Sequence, residues 1–191
     1  LEPSISFRNS KAVYLSAQGN KNIEVRITNT EKVKVVISKI YESNLLTAHK
    51  YGYNPKTSGG NDYDYYDEGE GGDATLGDVI YEKEIDTRSL PKLGSGRLFN
   101  FTIEDRIPDV KGIYHLSIRS ADDYWIRDAR FISLSDIGLI AKEGREKMYV
   151  FANSIKSATS LAGVNITVYG ANNQVLGFGA TNSDGTAEIA Y

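Results

Sequence analysis

The sequence predicts an all-β fold made of tandem antiparallel β-sandwich domains of the immunoglobulin-like type. Short runs such as 22–28 and 164–169 alternate apolar and polar residues and are rich in β-branched and aromatic side chains, which is typical of half-buried strands. Turn-forming pairs, Asn172-Asn173 and Asp184-Gly185, separate such runs. The 191 residues leave room for one large domain or two small ones, since sandwiches of about 100 residues are common.

The same alternation locates the strands along the chain. The predicted strands are 4–8, 12–17, 22–28, 33–41, 79–86, 97–104, 112–119, 125–134, 137–141, 148–155, 164–169, 174–180 and 186–191. Runs 22–28 and 33–41 are close in sequence and are expected to pair as a hairpin. The last three runs are joined by short turns and are expected to form an antiparallel meander. Ser43 is a candidate N-cap for a short helical segment that reaches His49.

The strand count predicts two domains of unequal completeness. Residues 1–134 can form one sandwich with an insertion at 51–78, whereas residues 135–191 supply fewer strands than a complete sandwich needs, so the second domain is expected to be partial. Ser135, Asp136 and Gly138 lie at the predicted junction, where Asp136 can cap a turn and Gly138 permits a bend or a close backbone approach. An uncovered edge strand in the partial domain predicts a homodimer through strand pairing.

The insertion at 51–78 differs from the rest of the chain in composition. From residue 61 to residue 78 it has seven acidic residues and no basic ones, together with several glycines, so we interpret it as a solvated surface loop. Clustered carboxylates could instead bind calcium, although their spacing departs from the EF-hand pattern at three positions. The tyrosines could form an adhesive or carbohydrate-stacking surface. The candidate calcium ligands are Asp62, Asp64, Asp67, Glu68 and Glu70, and the candidate binding tyrosines are Tyr63, Tyr65 and Tyr66.

Several classes of function find no support in the composition. The chain has no cysteine, which excludes disulfides, thiolate metal sites and a cysteine nucleophile within these residues. The net charge of −3 argues against a nucleic-acid partner, and no apolar run is long enough to span a bilayer. His49 and His115 belong to no metal-binding or catalytic motif, so we predict a non-enzymatic chain without a cofactor. His115 lies in an alternating strand and is expected to face solvent or a domain interface.

The C-terminal stretch also carries an ordered set of motifs. These are Ser135-Asp136-Ile137-Gly138-Leu139, Met148-Tyr149-Val150-Phe151, Leu161-Ala162-Gly163-Val164, Val168-Tyr169, Asn173-Gln174-Val175-Leu176-Gly177 and Thr181-Asn182-Ser183-Asp184-Gly185. This set resembles the macroglobulin-type domains in the N-terminal region of bacterial α2-macroglobulin-like proteins. The resemblance covers residues 133–191 well and is fainter in the preceding part of the chain.

This resemblance implies a structural, non-catalytic role in a protease-trapping endopeptidase inhibitor. Such a protein would lie in the periplasm or at the cell surface, with any signal or anchor outside these residues. The partners would be neighbouring domains of the parent protein and, through the full-length protein, a target protease. The thioester that many relatives carry needs a cysteine and would therefore lie in another part of the parent. An adhesin, or a carbohydrate- or protein-binding module that uses the 51–78 loop, is the alternative that the residues leave open.

Overall fold

Strands dominate the computed structural model, which describes residues 1–8, 13–15, 22–55, 74–103, 106 and 111–191. Within these ranges the fold is all-β, which confirms the predicted class. The strands are β1 Ser4–Phe7, β2 Val13–Leu15, β3 Asn22–Thr28, β4 Lys32–Ile40, β5 Gly77–Asp86, β6 Lys92–Leu93, β7 Gly96–Thr102, β8 Gly112–Ser120, β9 Arg127–Leu134, β10 Ile137–Glu143, β11 Lys147–Ser154, β12 Asn165–Tyr169, β13 Val175–Ala180 and β14 Thr186–Ala190. One α-helix, α1, spans Glu42–Tyr51, and short 3-10 turns lie at Ala74–Leu76 and Thr87–Ser89.

Backbone contacts divide the described residues into two compact units. Unit 1 holds β1 to β9 with α1, and unit 2 holds Ser135–Tyr191. In unit 1 a four-stranded sheet, in the order β1-β3-β7-β6, faces a five-stranded sheet in the order β2-β9-β8-β4-β5. All of these neighbours are antiparallel except β2 and β9, which pair in parallel. Alternate apolar side chains of the two sheets, such as Val25 and Ile27 against Val35 and Leu116, form the core.

The predicted hairpin between runs 22–28 and 33–41 is wrong, because β3 and β4 lie in different sheets. β3 pairs with β1 and β7, whereas β4 pairs with β5 and β8. Asn29 adopts a positive φ of 51° in the connection, a conformation that asparagine tolerates. Thr87 then holds the connection in place, because its hydroxyl donates to the carbonyl of Thr30 at 2.5 Å and its N–H donates to the carbonyl of Glu31 at 2.8 Å.

Strand β4 is buried on both faces because α1 covers the side that points away from the sandwich core. Ile40 of β4 forms a separate apolar cluster with Ala48 of α1 and with Tyr53 and Leu76. The predicted Ser43 cap is wrong, since the helix begins at Glu42 and Ser43 lies in its first turn. Burial of Ala48 against the sheet, with little help from capping, therefore holds this helix in place.

Unit 2 is a small two-sheet structure, and the predicted meander holds for only part of it. β12 and β13 form the expected hairpin, with Asn173 in the left-handed conformation at φ 65°. β14 does not continue this hairpin; it pairs with β11 in a three-stranded sheet of order β10-β11-β14. This change of sheet brings the buried side chain of Ile189 against Ile166 and Val168 of the hairpin, and the small core of unit 2 lies between the two sheets.

Gly177 of β13 determines how closely the two sheets of unit 2 can approach. A Cβ atom on Gly177 would lie 2.4 Å from the carbonyl oxygen of Ala190 and 2.8 Å from Cγ2 of Ile189.

We expect Gly177→Ala to lower the free energy of unfolding of unit 2 by about 1–3 kcal/mol, the usual cost of overpacking. Gly179→Ala is the matched control, because its Cβ would meet its nearest neighbour at 3.4 Å. Urea unfolding would contradict this account if the two variants were equally stable.

Candidate functional site

The predicted calcium ligands and binding tyrosines lie outside the described residues. These are Asp62, Tyr63, Asp64, Tyr65, Tyr66, Asp67, Glu68 and Glu70. Among the residues that the structure describes, no three histidine or acidic side chains are grouped closely enough to hold a metal ion. In the same ranges, no helix has the length and apolar character needed to cross a membrane.

The predicted junction residues connect the start of β10 to the turn that follows β11. The carboxylate of Asp136 accepts from the hydroxyl of Ser154 at 2.7 Å and from the N–H of Lys156 at 2.8 Å. Its main-chain carbonyl accepts from the N–H of Ile155 at 2.8 Å. The Ser135 hydroxyl makes a local turn by accepting from the N–H of Ile137 at 3.0 Å. Asp136 therefore caps a turn that is distant in sequence.

Gly138 leaves space for the side chains of the neighbouring strand. It lies opposite Asn153 in the β10–β11 pair, and a Cβ atom here would meet Oδ1 of Asn153 at 3.0 Å and Cγ1 of Ile155 at 3.2 Å. The close approach is made by these two side chains, and Gly138 has no positive φ.

Unit 1 contains a cleft of about 370 Å3, which we call the aromatic cleft. It lies between the end of α1 and the outer face of β8 and β9. Its lining includes His49, Tyr53, His115 and Phe131 as ring-bearing residues. The rings of Tyr53 and Phe131 meet that of His115 edge-on, with centroid distances of 5.1 and 5.2 Å. The cleft thus has aromatic walls, and the small side chains of Ala48 and Ala129 also line it.

His115 is buried, so the predicted solvent exposure is wrong. Its side chain is 6% exposed, and among the described residues its Nδ1 has no hydrogen-bond partner. The reason is that α1 and the segment through Tyr53 cover the outer face of β8, where alternation alone predicts solvent. Burial disfavours the charged imidazolium and lowers the pKa of His115 from 6.5 to about 4. The imidazole is therefore neutral near pH 7 and acts as a packing element.

Sequence reasoning did not identify the polar network at the rim of the aromatic cleft. The hydroxyl of Tyr124 accepts from Nδ2 of Asn54 at 2.7 Å and from the guanidinium of Arg127, which also lies 4.4 Å from the ring centre. The carboxylate of Asp128 accepts from the N–H of Phe7 at 2.9 Å and from Arg130 at 2.5 Å. The contacts of Tyr124 with Asn54 and of Asp128 with Phe7 join residues far apart in sequence, so no local motif could have indicated them. The contacts of Tyr124 with Arg127 and of Asp128 with Arg130 are local in sequence.

Comparison with known protein families finds a match in the C-terminal part of the chain. Residues 134–191 match the family described as bacterial alpha-2-macroglobulin MG3 domain. The macroglobulin resemblance predicted from the motifs is thereby confirmed over this stretch. The matched residues coincide almost completely with unit 2, so the similarity belongs to the compact body formed by β10 to β14. No curated protein sequence matches the chain.

Solved structures of bacterial α2-macroglobulins have a similar fold over both units. A native Escherichia coli fragment spanning domains NIE-MG1 matches with a TM-score of 0.70 at 16% identity, covering 100% of this chain and 88% of that one. A longer E. coli fragment spanning MG0-NIE-MG1 matches with a TM-score of 0.68 at 18% identity. This match covers 100% of the present chain and 58% of the fragment. Salmonella α2-macroglobulin reacted with methylamine gives 0.63 at 16% identity. This match covers 100% of the present chain and 10% of the Salmonella protein. Likeness at these identities establishes the fold.

The buried His115 predicts a loss of stability in mild acid. Because its folded-state pKa is about 4 and its ordinary value is 6.5, the unfolded chain binds the proton first as pH falls. Above pH 6.5 the imidazole is neutral in the folded and unfolded chain, so its protonation does not lower the unfolding free energy. Between pH 6.5 and 4 the unfolding free energy falls by about 1.4 kcal/mol per pH unit, to a total loss of about 3 kcal/mol. We expect His115→Phe to remove this part of the pH dependence of the unfolding free energy. His49→Gln, the matched control, should retain it. Parallel pH profiles for wild type and His115→Phe would count against the assignment.

The carboxylate of Asp136 predicts a second, local effect on stability. Asp136→Ala removes acceptors for the Ser154 hydroxyl and the Lys156 N–H, and we expect it to lower the unfolding free energy of unit 2 by about 1–2 kcal/mol. Hydrogen exchange at the Lys156 amide should accelerate. Ser135→Ala is the control, because it removes a single exposed hydrogen bond. Unchanged exchange at Lys156 in Asp136→Ala would show that the cap does not hold this turn.

Proposed function

We propose that this chain is a structural, non-catalytic segment of a bacterial α2-macroglobulin-like protein that traps proteases. The observation that carries the proposal is the family match over residues 134–191, which coincides with one compact unit. The proposal includes two macroglobulin-like sandwiches in tandem, residues 1–134 with the insertion at 51–78 and residues 135–191 as part of a second domain. The similarity of both units in fold to E. coli α2-macroglobulin fragments supports this arrangement.

The side-chain chemistry of the described residues fits a structural role. The carboxylate of Asp136 caps a turn, the carboxylate of Asp128 holds the start of the chain, and the imidazole of His115 is neutral and enclosed. Each of these groups contributes to packing or to hydrogen bonding within its own unit. In a trap, such units supply rigid surfaces, and inhibition of a target protease belongs to the full-length protein.

The partners in this proposal are neighbouring domains of the parent protein, which we place in the periplasm or at the cell surface. In unit 2 the edge strand β10 is the candidate for strand pairing. Its apolar side chains Ile137, Leu139 and Ile140 are exposed, with Ile140 at 67%. Among the strands that the structure describes, β10 pairs with β11 alone, so its other edge can present backbone N–H and C=O groups. A strand of a neighbouring domain or of a second copy can add at this edge.

A protease-protection assay on the full-length parent protein tests the trapping function. The parent is incubated with trypsin, and the residual protease activity is measured on a small chromogenic peptide and on a large protein substrate. Enclosure of the protease excludes large substrates but admits small ones, so we expect activity on the peptide to persist and activity on the protein to fall. Residues 1–191 alone should leave both activities unchanged. Inhibition of peptide cleavage by residues 1–191 alone would overturn the structural role in favour of direct inhibition.

A further inference from the structure

Trp125 is the only tryptophan of the chain, and it stands exposed on the turn between β8 and β9. Its side chain is 71% exposed. A single exposed apolar residue is ordinary on a protein surface and needs no explanation. Trp125 differs from such residues in two ways. Hydrogen bonds fix the turn that carries it, and an aromatic cleft lies beside it.

Hydrogen bonds hold the turn that carries Trp125 in one conformation. The hydroxyl of the buried Ser120 accepts from the N–H groups of Asp122 and Asp123 at 3.3 and 3.2 Å. The carboxylate of Asp123 accepts from the N–H of Trp125 at 3.0 Å. The N–H of Ser120 donates to the carbonyl of Ile126 at 2.8 Å and closes the turn. The indole is therefore presented from a preorganised backbone, which reduces the entropy that binding would cost.

Tyr124 connects this turn to the aromatic cleft. Its ring lies 5.7 Å from that of Trp125 at an interplanar angle of 80°. Its hydroxyl accepts from Asn54 and Arg127, and both of these residues line the aromatic cleft. The protruding indole and the cleft are thus neighbours on one surface of unit 1. Because the two rings are nearly perpendicular, they form a protrusion and not the flat platform on which a sugar ring stacks.

The aromatic cleft has the chemistry to receive an indole. The rings of His49, Tyr53 and Phe131 provide faces and edges for aromatic contact, and the cleft volume of about 370 Å3 lies within the range of small-molecule pockets. Ser117 also lines the cleft, and its hydroxyl is an acceptor suited to the indole N–H.

We propose that Trp125 of one copy of this chain inserts into the aromatic cleft of a second copy. The second copy inserts its own Trp125 into the cleft of the first, so that a twofold axis relates the two contacts. A twofold interface requires that both halves of the contact lie on one surface, which the link through Tyr124 provides. Charge supports a second copy as the partner. Arg119 and Arg127 lie over the Tyr124 ring, and Asp122 and Asp123 lie on the same turn, so this surface carries groups of both signs, which a surface that meets its own copy requires.

The size of the contact makes the association weak. Two inserted tryptophans bury at most about 500 Å2, and with their surroundings they stay below the roughly 1,200 Å2 of standard interfaces. We therefore expect half-association at a protein concentration on the order of 100 μM. Such a contact forms where copies are crowded or already held together by other surfaces.

The single tryptophan allows a direct test on the intact 191-residue chain. Fluorescence emission and sedimentation equilibrium are measured from about 1 μM to about 1 mM, a range that brackets the expected midpoint. Insertion of the indole into the cleft should move the emission maximum to shorter wavelength, in step with the appearance of dimer mass. Emission that stays constant while the chain remains monomeric overturns the proposal. Dimer mass without an emission change also overturns it, because that result places the contact elsewhere, as in pairing through β10.

Variants separate this contact from general hydrophobic association. Trp125→Ala removes the inserted group, and Ala129→Arg fills the cleft while leaving Trp125 as reporter; we expect each to weaken association at least about tenfold. Phe178→Ala is the matched control, because it removes another highly exposed aromatic side chain in unit 2 and should leave association unchanged. Far-ultraviolet circular dichroism checks that each variant is folded. An emission shift that persists in Ala129→Arg would overturn the cleft as the binding site.

Discussion

Burial of the central strands on both faces is the constraint on which the rest of unit 1 depends. One face of β4 and β8 contributes to the core between the two sheets, through residues such as Val35 and Leu116. The other face is covered by α1 and the segment that follows it, where Ile40 meets Ala48. A sheet covered on both sides cannot leave a polar side chain in water, so His115 must be neutral and enclosed by rings. The aromatic cleft lies beside this cover, where the ring centroids of His49 on α1 and Phe131 on β9 are 6.3 Å apart.

Local alternation located the strands well but could not assign them to sheets. Residues 22–28 and 33–40 have the same pattern whether they pair with each other or lie in opposite sheets, and the observed arrangement includes distant contacts such as that of Thr87 with the Thr30 carbonyl. The environment of His115 was missed for a similar reason, since a helix distant in sequence covers its strand. The β14 register on β11 likewise depends on packing of Ile189 between sheets.

Several of the motif residues that carried the family resemblance hold turns. The Thr181 hydroxyl donates to the Leu161 carbonyl at 2.6 Å and accepts from the Val164 N–H at 3.0 Å. The Asn182 side chain accepts from the N–H groups of Asp184 and Thr186. Such a position needs one particular polar group at one particular atom, whereas apolar core positions accept several side chains of similar volume. This difference explains how a fold remains recognisable from its turns when overall identity to relatives is low.

The cluster beneath α1 has a consequence for how the chain can change between relatives. Tyr53 and Leu76 belong to the same apolar cluster, and the Tyr53 hydroxyl donates to the Gly77 carbonyl at 3.2 Å. Contacts among Tyr53, Leu76 and Gly77 therefore hold two positions that are distant in sequence beside each other. The entropy cost of closing a loop between two ends rises slowly with loop length, by about 0.6 kcal/mol for each doubling. We therefore expect the sandwich to tolerate changes in the number of residues between these two anchors at little cost in stability.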